Sequence, residues 1–167
     1  MDFMQLTHCL IFLTISSTLN IAAHATNIDT PLFSFVVNVD LRIEDDREKR
    51  IFLYNNNGTL DPTVNIEYFK RENSTTPLNV ESTCSKEFAQ LIKDGTRGIS
   101  PVKIEKSENS GKYIYTTKIS TSNKPNIITT YYCNANVGVY ITVLSPQDKD
   151  IVENIHSQIM GTLKFKD

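Results

Sequence analysis

Two hydrophobic periodicities divide this chain, and their order limits the fold more than any other feature of the sequence. Phe33, Phe35, Val37, Val39, Leu41 and Ile43 alternate with Ser34, Asn38, Asp40 and Arg42, which predicts one half-buried strand. The charged run Glu44 to Arg50 reads as an exposed turn, followed by a short strand over Ile51-Phe52-Leu53-Tyr54. Asn55-Asn56-Asn57-Gly58 is turn sequence, because Asn and Gly tolerate positive φ. Val64, Ile66 and Tyr68 alternate as a third strand. Helical spacing then replaces the period of two: Val80, Cys84, Phe88, Leu91 and Ile92 form one apolar stripe, with Asn79 as N-cap and Gly95 as terminator.

Strands return after Gly98. Val102 and Ile104 pair across the turn Ser107 to Gly111 with Tyr113, Tyr115, Thr117 and Ile119. A second hairpin joins residues 127 to 133 and 137 to 144 around Asn134-Ala135-Asn136. The last helix is expected over 146 to 160, with Ser145 as N-cap, Pro146 at N1 and Asp148 at N3. Ile151, Val152, Ile155 and Ile159 make its buried stripe, Gly161 ends it, and Leu163 and Phe165 alternate in a tail strand or strap. Runs of strands joined by short turns, with only two helices, predict an α+β domain: one antiparallel sheet packed by the helices near 80–94 and 146–160.

The N-terminus sets the compartment. Residues 10 to 23 are largely apolar and end in Ala23-His24-Ala25, an A-x-A-like cleavage site, so residues 1–25 read as a signal peptide and 26–167 as one domain. No Lys or Arg precedes the apolar block, and a retained anchor is the alternative. The block is short for a span and rich in Ser, Thr and Asn. The expected location is secreted or periplasmic. Removing the leader takes Asp2 from 17 basic and 19 acidic residues and leaves 17 and 18, a net charge of −1. No basic stripe points to nucleic acid, and no later apolar run is long enough to cross a bilayer.

Cleavage also removes Cys9 and leaves Cys84 and Cys133, an even pair that an oxidising compartment most simply turns into one disulfide. A metal pair or a reactive thiol is the alternative, but neither cysteine has a second Cys or a His at ligand spacing. Cys84 lies on the helical stripe. Ile127, Thr129, Tyr131 and Cys133 share one strand face, and Val137, Val139, Ile141 and Val143 share another. If these faces meet the first helix, Cys133 can reach Cys84.

Candidate chemistry is sparse. His156 alone of the histidines survives cleavage, so any Ser-His-Asp or Cys-His device must use it, yet it sits at the edge of an apolar stripe as a boundary residue. Glu44-Asp45-Asp46 lacks EF-hand spacing and is followed by Arg47, Lys49 and Arg50, so a solvated hairpin tip is expected there. No nucleophile-elbow, metalloprotease or P-loop pattern occurs. The residues thus assign no catalytic group, no metal and no cofactor. Tyr113, Tyr115, Tyr131, Tyr132 and Tyr140 form the one suggestive set: on a sheet they could make a binding patch, although tyrosines also fit half-buried strands. Asn57-Gly58-Thr59 and Asn73-Ser74-Thr75 are sequons, usable at Asn57 and Asn73 in a eukaryotic secretory pathway.

The order of elements resembles the Mog1/PsbP-like fold family, which includes the bacterial DcrB-like proteins. The resemblance is carried by the hairpin ending Gly138-Val139-Tyr140-Ile141-Thr142-Val143, by Ser145-Pro146, and by the closing helix with Thr162-Leu163-Lys164-Phe165. The chain departs from that family in having no Trp. The resemblance implies an α/β/α sandwich and a mostly non-catalytic role in binding, assembly or chaperoning. The expected function is therefore an exported binding or accessory protein acting on another protein through sheet and loop surfaces. An inhibitor or immunity protein that blocks a toxin or hydrolase is the second reading, and an enzyme using His156 the third.

Overall fold

The computed structural model describes residues 25–46, 49–71, 79–95, 103–109, 111–121 and 124–166. Residues 1–24 of the expected leader, Asn73 and Val102 lie outside them. Strands β1 (Thr26–Asp29), β2 (Phe33–Val37) and β10 (Lys164–Phe165) form a small sheet in the order β1-β2-β10. Strands β3 (Leu41–Asp46), β4 (Arg50–Asn55), β5 (Thr63–Lys70), β6 (Lys103–Asn109), β7 (Lys112–Thr121), β8 (Lys124–Cys133) and β9 (Val137–Ser145) form a seven-stranded sheet in the order β3-β4-β5-β9-β8-β7-β6. Every pairing in both sheets is antiparallel. Helix α1 (Val80–Gly95) joins β5 to β6, and α2 (Lys149–Thr162) joins β9 to β10.

The large sheet separates two cores. On one face, Val80, Cys84 and Phe88 of α1 pack on Tyr113, Tyr115, Tyr131 and Cys133. On the other, Val152, Ile155 and Ile159 of α2, together with Ile28, Phe33, Phe35 and Val37 of the small sheet, cover Leu53, Val64, Ile66, Val139, Ile141 and Val143. The α+β class holds. The second face is roofed by a sheet as well as by a helix, so the molecule is sheet-dominated rather than a plain α/β/α sandwich.

Several expectations change in detail. The alternating run Phe33 to Ile43 is two strands in different sheets, not one. Its period survives the break because Phe33, Phe35, Val37 and Leu41 all enter the same core. Thr26 of the unforeseen β1 pins the corner: its hydroxyl donates to the Val39 carbonyl (2.7 Å) and accepts from the Leu41 amide (2.9 Å). The charged stretch after Ile43 is strand as far as Asp46, paired with Arg50 to Phe52 of β4. Likewise β6 extends to Asn109, beyond the expected turn start at Ser107, and Gly111 takes the positive φ of the turn (73°). Charge on an edge strand discourages pairing with other chains without breaking the ladder.

The last helix also starts later than the Ser-Pro pair suggests. Ser145 is buried and still pairs with Asn126 in the sheet. Asp148 is the N-cap, accepting from the amides of Asp150 (2.8 Å) and Ile151 (3.2 Å). Gly161 does not stop the helix. It runs on to Thr162, whose hydroxyl accepts from the Val36 amide at 3.0 Å and fastens α2 to β2.

Candidate functional site

The disulfide expected from the cysteine pair is present between Cys84 on α1 and Cys133 at the end of β8, with Cα atoms 5.9 Å apart. The hairpin faces behave differently from each other. The face carrying Tyr131 and Cys133 meets α1, whereas that of Val137, Val139, Ile141 and Val143 meets α2 and the small sheet. Antiparallel register causes this, since Tyr132 lies opposite Val139 and Tyr131 opposite Tyr140.

Arg71, just past the end of β5, organises the space beside the disulfide. Its side chain is 8% exposed. The guanidinium donates to Glu87 and to the Asn134 carbonyl, and reaches the Tyr131 hydroxyl (3.0 Å) and Cys133 Sγ (2.9 Å). Tyr131 donates its own hydroxyl to Glu87. Burial, followed by that hydrogen bond, pushes the Tyr131 phenol far above its ordinary range, so it remains a neutral donor. One cation and one carboxylate therefore balance inside the cluster. Phe69 closes it, with the Arg71 guanidinium 5.7 Å from its ring centre. The Phe69 ring also lies over Gly138, where a Cβ would meet it at 2.4 Å.

The five tyrosines do not form one exposed patch. Tyr113, Tyr115, Tyr131 and Tyr132 are buried. Tyr132 is on the α2 side, stacked on Phe165 with centroids 3.5 Å apart. On the α1 side, Tyr115, Phe88, Tyr131 and half-buried Tyr140 make a continuous stack, closest between Tyr131 and Tyr140 at 4.1 Å. Period-two spacing that suits a surface patch suits an aromatic core equally well, and here α1 covers it.

His156 is half-buried on α2, with Nε2 2.7 Å from the Thr130 hydroxyl, itself 3.0 Å from that of Thr116. Burial, then the charge of Lys118, lowers its pKa to about 4. Two threonine hydroxyls and a neutral imidazole make a structural polar thread through an apolar layer. Among the described residues no carboxylate is hydrogen-bonded to the ring, as a triad would require. Among the described residues, no three His, Cys, Asp or Glu side chains gather as metal ligands. No described helix is long and apolar enough to cross a membrane. Glu44 and Asp45 are exposed edge-strand residues. Asn57 is exposed, and its Oδ1 accepts from the Thr59 amide (2.9 Å) and hydroxyl (2.7 Å).

The best-formed surface lies at the end of the sheet where β8 turns into β9. Asn134 Oδ1 accepts from the amides of Asn136 and Val137, both at 2.8 Å, so the turn satisfies its own backbone. Arg71 holds this turn from behind: its amide donates to the Asn136 carbonyl (2.8 Å) and its guanidinium to that of Asn134. On the α2 side of this end are two clefts. One of about 550 Å³ is lined by Leu32, Lys70, Lys112, Asn136, Phe165 and Lys166. The other, about 500 Å³, shares Lys112 and Phe165 and adds Ile114, Tyr132 and Lys164. A smaller groove of about 180 Å³ lies between Leu91 and Ile92 of α1 and a polar floor of Asn65, Thr129 and Thr142.

The sequence reading missed Arg71 and these clefts. The alternation of β5 held a usable signal for Arg71, because it puts residue 71 on the same sheet face as Phe69, opposite Tyr68. The lysines converge only through strand order, which brings residues 32, 70, 112 and 165 to one end.

Neither a family profile nor a curated protein matches the chain. Solved structures do. The solution structure of cyanobacterial PsbP (CyanoP) from Synechocystis sp. PCC 6803 is 11% identical, covers 92% of this chain and 99% of its own, and superposes with a TM-score of 0.59. A crystal structure from Bacteroides thetaiotaomicron is 14% identical over 81% of this chain and 45% of its own, with a TM-score of 0.46. Two antiparallel sheets, two helices and the CyanoP superposition together establish that this chain has the PsbP-like fold.

Proposed function

We propose that this is an exported, non-enzymatic binding or accessory protein that engages a protein partner through the β8–β9 end of its large sheet. The observation that carries the reading is the turn at Asn134 to Asn136, locked from inside by Arg71 and the disulfide and lining a cleft that shares Lys112 and Phe165 with a second. A surface already rigid before binding loses little freedom when a partner docks, and more of the contact energy then appears as affinity. The PsbP-like fold supports the accessory role through the largely non-catalytic family that the sequence resembles. A buried disulfide suits an oxidising compartment. Export fits cleavage after Ala25, which would make Thr26 the first residue, directly at the start of β1.

Affinity purification of the exported protein from its source cells, with mass spectrometry of what accompanies it, tests the reading. A stoichiometric partner retained by wild type and lost from the Lys70→Glu/Lys112→Glu variant is expected. Turnover of a substrate that His156→Ala abolishes without unfolding the domain would overturn it.

A further inference from the structure

Lys70, Lys112 and Lys164 are exposed and have no ion-pair partner among the described residues; Lys166 is paired with Asp29 at 2.5 Å. Glu108 lies opposite Tyr113 in the β6–β7 ladder, on the sheet face away from Lys112. The whole chain carries a net charge of −2, so a basic end on it is a segregation of charge, not a reflection of composition. Between the lysines the floor is apolar, because Phe165 lies flat on Tyr132 and Leu32 and Ile114 flank it.

We propose that this end binds a short segment of a partner protein in which carboxylate side chains surround one apolar residue. The inference rests on the binding reading above and names the partner's chemistry. The turn amides at Asn136 and Val137 are already used internally, so recognition falls to lysine ammonium groups and the Phe165 floor. Ammonium groups are compact point charges that suit scattered carboxylates, whereas paired, planar contacts would call for arginine. The surface is concave, and two clefts sharing Phe165 accept an inserted side chain. A bilayer would instead be met by a protruding apolar group or a broad basic face. Charge complementarity of this kind raises the association rate and makes binding salt-sensitive.

The test is an amide chemical-shift titration of the full exported protein with the capped peptide Glu-Glu-Leu-Glu-Glu. Parallel titrations use capped Lys-Lys-Leu-Lys-Lys and phosphatidylglycerol vesicles. The expected shifts fall on Lys70, Lys112, Asn136, Val137 and Phe165, with at least tenfold weaker binding in Lys70→Glu/Lys112→Glu and unchanged binding in Lys118→Glu. The amide spectrum of each variant reports whether it is folded. Shifts spread over unrelated lysines, equal weakening by Lys118→Glu, or binding to vesicles but not to the acidic peptide would each overturn the proposal. Failure of the peptide, with a source-cell partner still lost from Lys70→Glu/Lys112→Glu, would discard the acidic-segment chemistry and leave the binding surface standing.

Discussion

Single residues carry unequal weight here, and Arg71 carries the most. It meets Glu87, Tyr131, the Asn134 carbonyl and Cys133 from an 8% exposed side chain. Arg71→Met would leave those acceptors facing an apolar group. The expected loss is about 3 kcal/mol, the low end for breaking a buried pair, because Glu87 can regain water. Urea unfolding measures it, and a loss under about 1 kcal/mol would show the cluster to be incidental. Phe88→Ala should cost roughly 3 to 5 kcal/mol by opening the aromatic stack. His156 adds a pH dependence. Its pKa is about 4 folded against 6.5 for the free side chain, so the unfolded chain binds more protons between these values. The stabilisation is full above pH 6.5 and is lost as pH falls toward 4. At pH 4.5 wild type should have lost roughly 2 kcal/mol more than His156→Gln does. Equal losses would mean that the imidazole titrates freely. Phe88 and Cys84 were legible from a helical stripe. Arg71 was legible only in part: the alternation of β5 places it on the face of Phe69, but a charged residue at a strand end normally reads as solvated, and only the sheet register brings it to the disulfide.

Elements follow their periodicities but not always their boundaries. A period of two states which side of a strand is buried, not which sheet the strand joins, and so β2 and β3 read as one. β1 was invisible because four residues, with Ile28 as the one large apolar side chain, give too short a pattern. The Ser145-Pro146 pair misled because Ser145 belongs to the ladder. Asp148→Ala should therefore cost about 1 kcal/mol through loss of the α2 cap, and no loss would restore Ser145 as the cap. For α1, the Cys84–Cys133 bond spans a sequence separation of 49 residues. Removing it as Cys84→Ala/Cys133→Ala should destabilise the domain by roughly 4 kcal/mol on the chain-entropy view. Alkylation of the unreduced, denatured protein should find no free thiol at either position.

On the scale of the whole molecule, one sheet divides an aliphatic core under α2 and the small sheet from an aromatic core under α1. The disulfide and Arg71 lie where the aromatic core reaches the β8–β9 turn, so the interactions that close that core also fix the surface outside it. The α+β class and the disulfide could be read from the sequence because the first depends on local patterns and the second on the even pair of cysteines outside the expected leader. The surface could not, because it is assembled from five separate stretches of chain. Site-specific photo-crosslinking in the source cells tests the binding account most directly, with the reactive side chain placed at position 112 or, as a control, at position 118. The account predicts one discrete protein adduct from position 112 that Lys70→Glu weakens, and none from 118. No adduct at 112, or the same adducts from both positions, would contradict it.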